Sequence, residues 1–254
     1  MKNHQFKSKI LKTGKVLLLF FAIMFGSCDW VNNKLSDEEI AQGLKSALEV
    51  GTQYALKTLG KEDGFLLDQA VKIGLPEDAA KFIQKASAHP LTAYLVKGLE
   101  DQLVKTMNRA AEVAVEDVVP IFVDAITGMT IQDANNILFS KNDFAATDYL
   151  KSKTYNPLSK TCLSIIEDAL NKKILGVGSA QDVWSLLSQA HNTASSLVPS
   201  LGWEPIETDL SLYTTHKALD GVFVKIGDEE QNIRYNASAR VNDILKKVFG
   251  QLDK

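Results

Sequence analysis

Two groups of oppositely charged residues lie on segments with helical spacing, and they are the residues of this chain best suited to chemistry. The groups are Asn108, Arg109 and Glu112 in the first, and Glu230, Arg234 and Arg240 in the second. Residues three or four positions apart meet on one helix face, so each group predicts a helical ion pair. A carboxylate beside an arginine could also support acid–base chemistry if both faced one cleft.

The apolar residues beside both groups predict that the two groups lie close together. Met107 and Ala110 flank the first group, and Ile233 and Val241 flank the second. A charged side chain at the edge of a core needs a carboxylate and further hydrogen bonds, because an unpaired buried charge is costly. We therefore predict one polar binding cluster. Its alternative is that each helix satisfies its own arginine with a local salt bridge.

No catalytic or metal-binding motif accompanies these residues. The sequence lacks a G-x-S-x-G turn, an H-E-x-x-H pair and a glycine-rich phosphate loop. His89, His191 and His216 are widely separated and are predicted to lie at the surface or to cap helices. Cys162 falls on an apolar helix stripe with Ile166, which predicts a buried structural thiol. The sequence therefore predicts no catalytic residue, no metal and no cofactor.

Helices must position these residues, since apolar residues recur at helical spacing from residue 36 onward. The pattern predicts an all-α single domain of eight or nine helices. Pro120 lies inside a long pattern from Leu91 to Ile126 and predicts an end or bend near residues 116–120. Asn156-Pro157 predicts a helix start, and Asn236 is predicted to cap the last helix. Residues 221–227 are predicted to be helical, although their β-branched content also fits a short strand.

The N-terminal segment has the order of a bacterial lipoprotein signal. Five lysines and no acids precede a ten-residue apolar run, 16–25, which is too short to cross a bilayer. Gly26, Ser27 and Cys28 follow, and this order resembles the lipobox of bacterial lipoproteins, in which the cysteine is acylated. The predicted organisation is a signal peptide over 1–27, a lipidated cysteine and tether over 28–35, and a helical domain over 36–254.

The charge and the cysteine content of residues 28–254 restrict the functions that this part of the chain can have. Five of the 28 basic residues and none of the 31 acidic residues fall in 1–27, so the rest carries a net charge of −8. This acidic balance argues against nucleic acid as a partner. After Cys28 only Cys162 remains, so no intramolecular disulfide is predicted and packing alone must stabilise the domain.

Six short strings carry a resemblance to a known family. They are TLGKEDGFL at 58–66, MNRAAE at 107–112, MTIQDANNIL at 129–138, AATDYL at 145–150, ALDGVF at 218–223 and DILKKVFG at 243–250. In this order the chain resembles an uncharacterised bacterial lipoprotein family, domain of unknown function 4197, over about residues 35–250. The resemblance implies an envelope lipoprotein with a helical domain and implies no reaction or ligand.

These observations predict an exported bacterial envelope lipoprotein, anchored to a membrane through Cys28 and facing the periplasm or the cell surface. Its helical domain is predicted to be a non-enzymatic binding or interaction module for a protein partner or a small apolar ligand. The alternative is a hydrolase-like enzyme that uses the Arg/Glu groups in an interhelical cleft. Geometry separates the two, because an enzyme needs these groups to converge in one pocket.

Overall fold

The computed structural model describes residues 35–88, 93–173 and 178–253, and these residues form an all-α fold. The predicted signal peptide, Cys28, most of the tether and His89 lie outside them. The helices are α1 (Asp37–Leu59), α2 (Glu77–Ser87), α3 (Ala93–Ala114), α4 (Val119–Thr127), α5 (Ile131–Leu138), α6 (Ala145–Leu170), α7 (Ala180–Leu197), α8 (Leu210–Tyr235) and α9 (Asp243–Phe249). Three short 3₁₀ segments complete the described elements. Apart from an isolated bridge between Lys173 and Ser179, these residues contain no β-pairing.

Capping residues explain where several helices begin. In α1, Ser36 accepts a hydrogen bond from the Glu39 amide while the Glu39 carboxylate accepts one from the Ser36 amide. Thr130 with Asp133 and Ser179 with Asp182 form the same reciprocal arrangement at α5 and α7. These local hydrogen bonds fix the residues at which three helices begin.

Proline affects two long helical patterns in different ways. The prediction for Pro120 is confirmed: α3 ends at Ala114, and Pro120 lies in the first turn of α4, where its missing N–H costs no hydrogen bond. The predicted helix start at Asn156-Pro157 is wrong, because α6 continues through Pro157 without interruption. Leu150, Thr154 and Leu158 are buried along one face of α6, and this burial on both sides of the proline favours a single helix.

The prediction that residues 221–227 are helical is confirmed, because they lie within the uninterrupted helix α8. The last helix does not begin where it was predicted. Asn236 ends α8, and Asn242 caps α9 by accepting a hydrogen bond from the Leu245 amide.

The core lies where α1 and α6 both pack against α8, and α3 completes it against α6. All helices belong to a compact unit that begins at Ser36. Large buried side chains come from every part of this unit, including Leu44, Met107, Trp184 and Phe249. Within the described ranges, no helix combines the length and hydropathy needed to span a membrane.

Candidate functional site

Asn108 fixes an irregular loop, residues 60–76, to helix α3. Its side chain is fully buried. The Asn108 Oδ1 accepts a hydrogen bond from the Ile73 amide at 2.9 Å, and Nδ2 donates to the Ile73 carbonyl at 2.8 Å. Both backbone groups of a buried loop residue are thereby satisfied, as buried polar groups require. This amide therefore holds the loop, and Nδ2 also donates to the Val104 carbonyl of α3 at 2.7 Å.

Arg109 and Glu112 tie the other end of the same loop to α3. The Arg109 guanidinium donates to Glu112 at 2.5 Å, to Asp63 at 2.7 Å and to Glu62 at 3.1 Å. The hydrogen bond to Glu112, aided by the neighbouring carboxylates, raises the pKa of the Arg109 guanidinium. Glu112, only 4% exposed, also accepts a hydrogen bond from the Phe65 amide. We call Asn108, Arg109 and Glu112 with their loop partners the loop network.

Glu230 acts at the start of α6, although it belongs to α8. Its carboxylate accepts hydrogen bonds from the Ala146 amide at 3.0 Å and the Thr147 amide at 2.7 Å. The residue at the N-cap position, Phe144, has no side-chain cap of its own. The first amides of a helix lack partners within it and carry partial positive charge, so a carboxylate from another helix stabilises that end.

Arg234 and Arg240 donate hydrogen bonds to backbone carbonyls at helix C-termini. Arg234 donates to the Ile137 carbonyl at 3.2 Å and to Glu230 at 2.8 Å, which joins the end of α5 to the start of α6. Arg240 donates to the last carbonyls of α8 at 2.9 and 3.0 Å and forms a bidentate pair with Asp253. This pairing raises the pKa of Arg240 and lowers the pKa of Asp253. We call Glu230, Arg234 and Arg240 with these partners the C-terminal network.

The structure describes two networks where one cluster was predicted. The predicted ion pairs Arg109–Glu112 and Glu230–Arg234 are both present, but among the described residues no hydrogen bond or ion pair joins the loop network to the C-terminal network. The ring of Phe65 lies against Gly221 of α8. Because Glu230 is nine residues further along α8, it lies roughly 13.5 Å along the helix axis from that contact. The loop network, which reaches α8 through Phe65, and the C-terminal network therefore contact α8 at different positions along its axis.

An apolar groove with a volume of about 330 Å³ lies between α1 and α4. Leu56, Phe122 and Ile126 form its buried floor, and Val119 and Val123 are 44% and 50% exposed on its wall. Thr52 also lines it and is 4% exposed, yet its hydroxyl has no hydrogen-bond partner. Exposed Glu49, Gln53 and Lys57 complete the α1 side. We call this the α1–α4 groove.

Sequence reasoning missed the α1–α4 groove. A signal for it is present, because Thr52 lies four residues from both Leu48 and Leu56 on the apolar stripe of α1. A hydroxyl at such a position is either bonded to its own helix or directed to another group. The exposed valines gave no comparable signal, since single surface apolar residues are common.

A second, more polar cleft of about 460 Å³ lies between α4 and α6. Asp124, Asp133, Tyr149 and Lys153 are among its lining residues. Hydrogen bonds from Thr130 lower the pKa of Asp133, which is thereby engaged in capping α5. Burial, together with the Asp133 charge, raises the pKa of Tyr149. The Asp133 carboxylate is thus used by the local fold, and no group of three metal-ligating side chains occurs in the part of the chain described.

Of the remaining candidate residues, Cys162 and His191 lie in the core. Cys162 is fully buried, as predicted, and burial raises the pKa of its thiol to about 12, so it stays protonated at neutral pH. The prediction of a surface or capping role is wrong for His191, which is fully buried. The His191 ring stacks on Trp203 with 5.2 Å between centroids, and its Nε2 lies 3.0 Å from the Glu204 carbonyl oxygen. His216 is exposed.

These features define a helical domain in which buried charged residues join helix ends. The chain belongs to the family described as "Protein of unknown function (DUF4197)", whose match covers residues 34–250. This confirms the family resemblance carried by the six sequence strings. No curated protein and no solved structure matches the chain.

Proposed function

We propose that this protein is a bacterial envelope lipoprotein whose helical domain is a non-enzymatic binding module held at a membrane by lipid on Cys28. The order of a basic segment, a short apolar run, two small residues and cysteine supports the anchor. Each buried CH₂ of an acyl chain contributes about 0.8 kcal/mol, so several chains on one cysteine hold a domain firmly. The domain then faces the periplasm or the cell surface.

One observation supports a binding role over catalysis: the charged residues best suited to chemistry are bonded within the fold. Glu230 accepts from two backbone amides and one arginine, and Glu112 accepts from an amide and an arginine. A general acid or base must reach the substrate and exchange protons with it. Carboxylates held this way would have to break several hydrogen bonds first. Nothing in the described residues favours the hydrolase alternative, so we do not propose it as a second function.

The proposed partners follow from the net charge of the domain and from the apolar α1–α4 groove. A net charge of −8 beyond residue 27 disfavours nucleic acid and anionic lipid surfaces, so the lipid on Cys28 is the membrane contact. The α1–α4 groove offers the binding module an apolar surface for a small apolar ligand or a protein partner. No cofactor enters this proposal.

The anchor is tested by mass spectrometry of the mature N-terminus in the native bacterium. We expect the chain to begin at Cys28 and to carry acyl groups. Cys28→Ala should abolish acylation and leave the protein unprocessed or released from the membrane fraction. Cys162→Ala is the matched control, because that thiol is buried in the helical domain; this variant should still be acylated and membrane-bound.

An unmodified Cys28, or a mature chain that starts at another residue, would contradict the lipoprotein proposal. Equal membrane recovery of Cys28→Ala and the unaltered protein would do the same for the anchor.

A further inference from the structure

Helix α4 exposes apolar side chains on the surface that borders the α1–α4 groove. Its nine residues, VPIFVDAIT, include one charged residue, Asp124. Phe122 and Ile126 of this helix are buried, while Val119 and Val123, four residues apart, are 44% and 50% exposed. Single exposed valines are common, but two that adjoin an apolar groove form a contiguous surface, which is typical of an interaction site. We call Val119 and Val123 together with the groove the α4 face.

The charged residues on and beside the α4 face balance one another. Two are acidic and two are basic: Glu49, Asp124, Lys45 and Lys57. Lys45 belongs to this set because its Nζ donates to the Thr127 carbonyl, at the end of α4, at 2.8 Å. The chain beyond residue 27 carries a net charge of −8, so the α4 face is a locally neutral part of an acidic domain. Two further acids, Glu116 and Asp117, lie in the turn that leads into α4 and disfavour anionic lipid.

The predicted tether is long enough to bring the α4 face to the membrane. The α1 side of the groove, residues 49–57, lies roughly 18–30 Å along the helix axis from Asp37, where α1 begins. The tether over residues 28–35 spans at most about 29 Å when it is extended. Lipid on Cys28 therefore keeps this side of α1 within reach of the bilayer. A short tether also gives a high effective concentration of lipid at the domain surface, so a small apolar face is enough to orient the domain.

The size of the α4 face favours lipid over a second copy of this chain or a stable protein complex. Nine residues line the groove, whereas a stable protein–protein interface takes about 20–30 residues on each side. A bilayer needs no such area here, because the lipid on Cys28 provides the affinity and the α4 face provides only the orientation.

We propose that the α4 face lies on the zwitterionic bilayer in which Cys28 is anchored, with Val119 and Val123 at the boundary between headgroups and acyl chains. Interfacial helices bury their apolar side about 5–10 Å into this boundary. Helix α1 then runs along the membrane plane, and the domain rests on its side. The inference rests on the proposed lipid anchor, and it names lipid as the apolar partner of the α1–α4 groove.

The test measures how close individual valine methyl groups come to lipid. The chain from Cys28 onward, which contains the whole compact unit that begins at Ser36, is coupled through Cys28 to a maleimide lipid in phosphatidylcholine nanodiscs. Cys162 does not react, because it is buried and burial raises the pKa of its thiol to about 12. Nitroxides on the acyl chains then enhance the relaxation of nearby valine methyl groups in NMR spectra. We expect the largest enhancement at Val119 and Val123.

Val198 is the matched internal control. Its side chain is as exposed as that of Val119, at 44%, but Val198 follows α7, whose main contacts are with α2, α3 and α8. The methyl groups of Val198 should therefore show several-fold less enhancement than those of Val119.

Substitutions at the α4 face should shift the ratio of docked to free domain, measured at the Val119 methyl groups. Val123→Glu should lower this ratio by about 10-fold, because one apolar side chain is no longer buried in lipid. Val123→Ala, which removes apolar area without adding a charge, should lower it by about 3-fold. Val198→Glu should leave the ratio unchanged. Circular dichroism of each variant verifies the helical fold.

Four results would overturn the proposal. Equal enhancement at Val119, Val123 and Val198 would show that the domain has no preferred side toward the bilayer. Stronger docking on phosphatidylglycerol than on phosphatidylcholine would replace apolar contact by charge attraction. Shifts of the Val119 and Val123 signals that grow with protein concentration in the absence of lipid would assign the α4 face to a second copy. Cross-linking in cells from position 123 to a protein and not to lipid would assign it to a protein partner.

Failure of this inference is distinguishable from failure of the proposed anchor. The coupling of Cys28 to lipid is chemical, so the nanodisc result does not depend on acylation in the bacterium. Absence of acyl groups on native Cys28 contradicts the anchor, whereas a domain without a preferred side in nanodiscs contradicts only the α4 face.

Discussion

The carboxylate of Glu230 caps α6 from a different helix, and together with Arg234 it connects two helix ends. It accepts from the first amides of α6 and pairs with Arg234, which in turn reaches the last carbonyls of α5. Both side chains are about 5% exposed. A buried ion pair is not by itself a source of large stability, but removal of one partner leaves the other charge buried and uncompensated.

We expect Glu230→Gln to lower the free energy of unfolding by about 3–5 kcal/mol, because it leaves the Arg234 guanidinium buried without a carboxylate. Urea denaturation followed by circular dichroism measures the change. Glu77→Gln is the matched control: Glu77 forms the same kind of i, i+4 pair with Lys81, but its side chain is 83% exposed. That variant should lose less than about 1 kcal/mol. Equal losses in the two variants would contradict the capping role of Glu230.

At the scale of the elements, the contact between α1 and α9 depends on a residue without a side chain. A Cβ on Gly43 of α1 would lie 2.5 Å from a methyl carbon of Val248 on α9. The two helices approach each other closely at this point because there is no Cβ between them. Val248 is fully buried, so its side chain has no free space into which to move.

We expect Gly43→Ala to destabilise the protein by about 1–3 kcal/mol, since the added methyl overpacks this contact. Gly98 provides the control, because it lies within α3 and a Cβ added there would have no neighbouring atom within 4 Å. Gly98→Ala should stabilise by about 0.5–1 kcal/mol through the better helix propensity of alanine. The unfolding midpoints in urea should therefore move in opposite directions. A shift to higher urea in both variants would show that α1 and α9 do not need this approach.

At the scale of the whole molecule, the first and last helices of the described domain support each other. Helix α1 packs against α8 and α9, Lys247 pairs with Glu39, and Asn242 donates to Ser46. The segment after Asn242 contributes Leu245, Val248 and Phe249, each at most 1% exposed. Full burial of such a side chain contributes about 1.5–3 kcal/mol, and three of them match much of the stability of a typical domain.

A chain that ends at Asn242 should therefore lose its cooperative unfolding transition, and α1 should become sensitive to limited proteolysis. Peptide mapping of the digest shows whether cleavage extends into residues 37–59. Lys246→Ala serves as the control, since Lys246 lies on the exposed face of α9, with its side chain 61% exposed. This variant should stay within about 0.5 kcal/mol of the unaltered protein. Survival of a cooperative transition in the shortened chain would contradict the mutual support of α1 and α9.

The sequence by itself determined the features that depend on residues close in the chain. The all-α class, the capping boxes at Ser36, Thr130 and Ser179, and the break before Pro120 are all set within one or two helical turns. The ion pairs Arg109–Glu112 and Glu230–Arg234 belong to the same group, since helical spacing brings their members together.

The tertiary structure alone decided which residues distant in sequence these side chains contact. Helical spacing says which side chains share a face, but the opposing partner depends on how the helices pack. Glu230 therefore caps α6 although 83 residues separate it from Thr147. Helix α6 continues through Pro157 because burial on either side outweighs a local breaker, and the α1–α4 groove exists only because two helices far apart in sequence are adjacent. Long-range packing, which no short stretch of sequence encodes, set these outcomes.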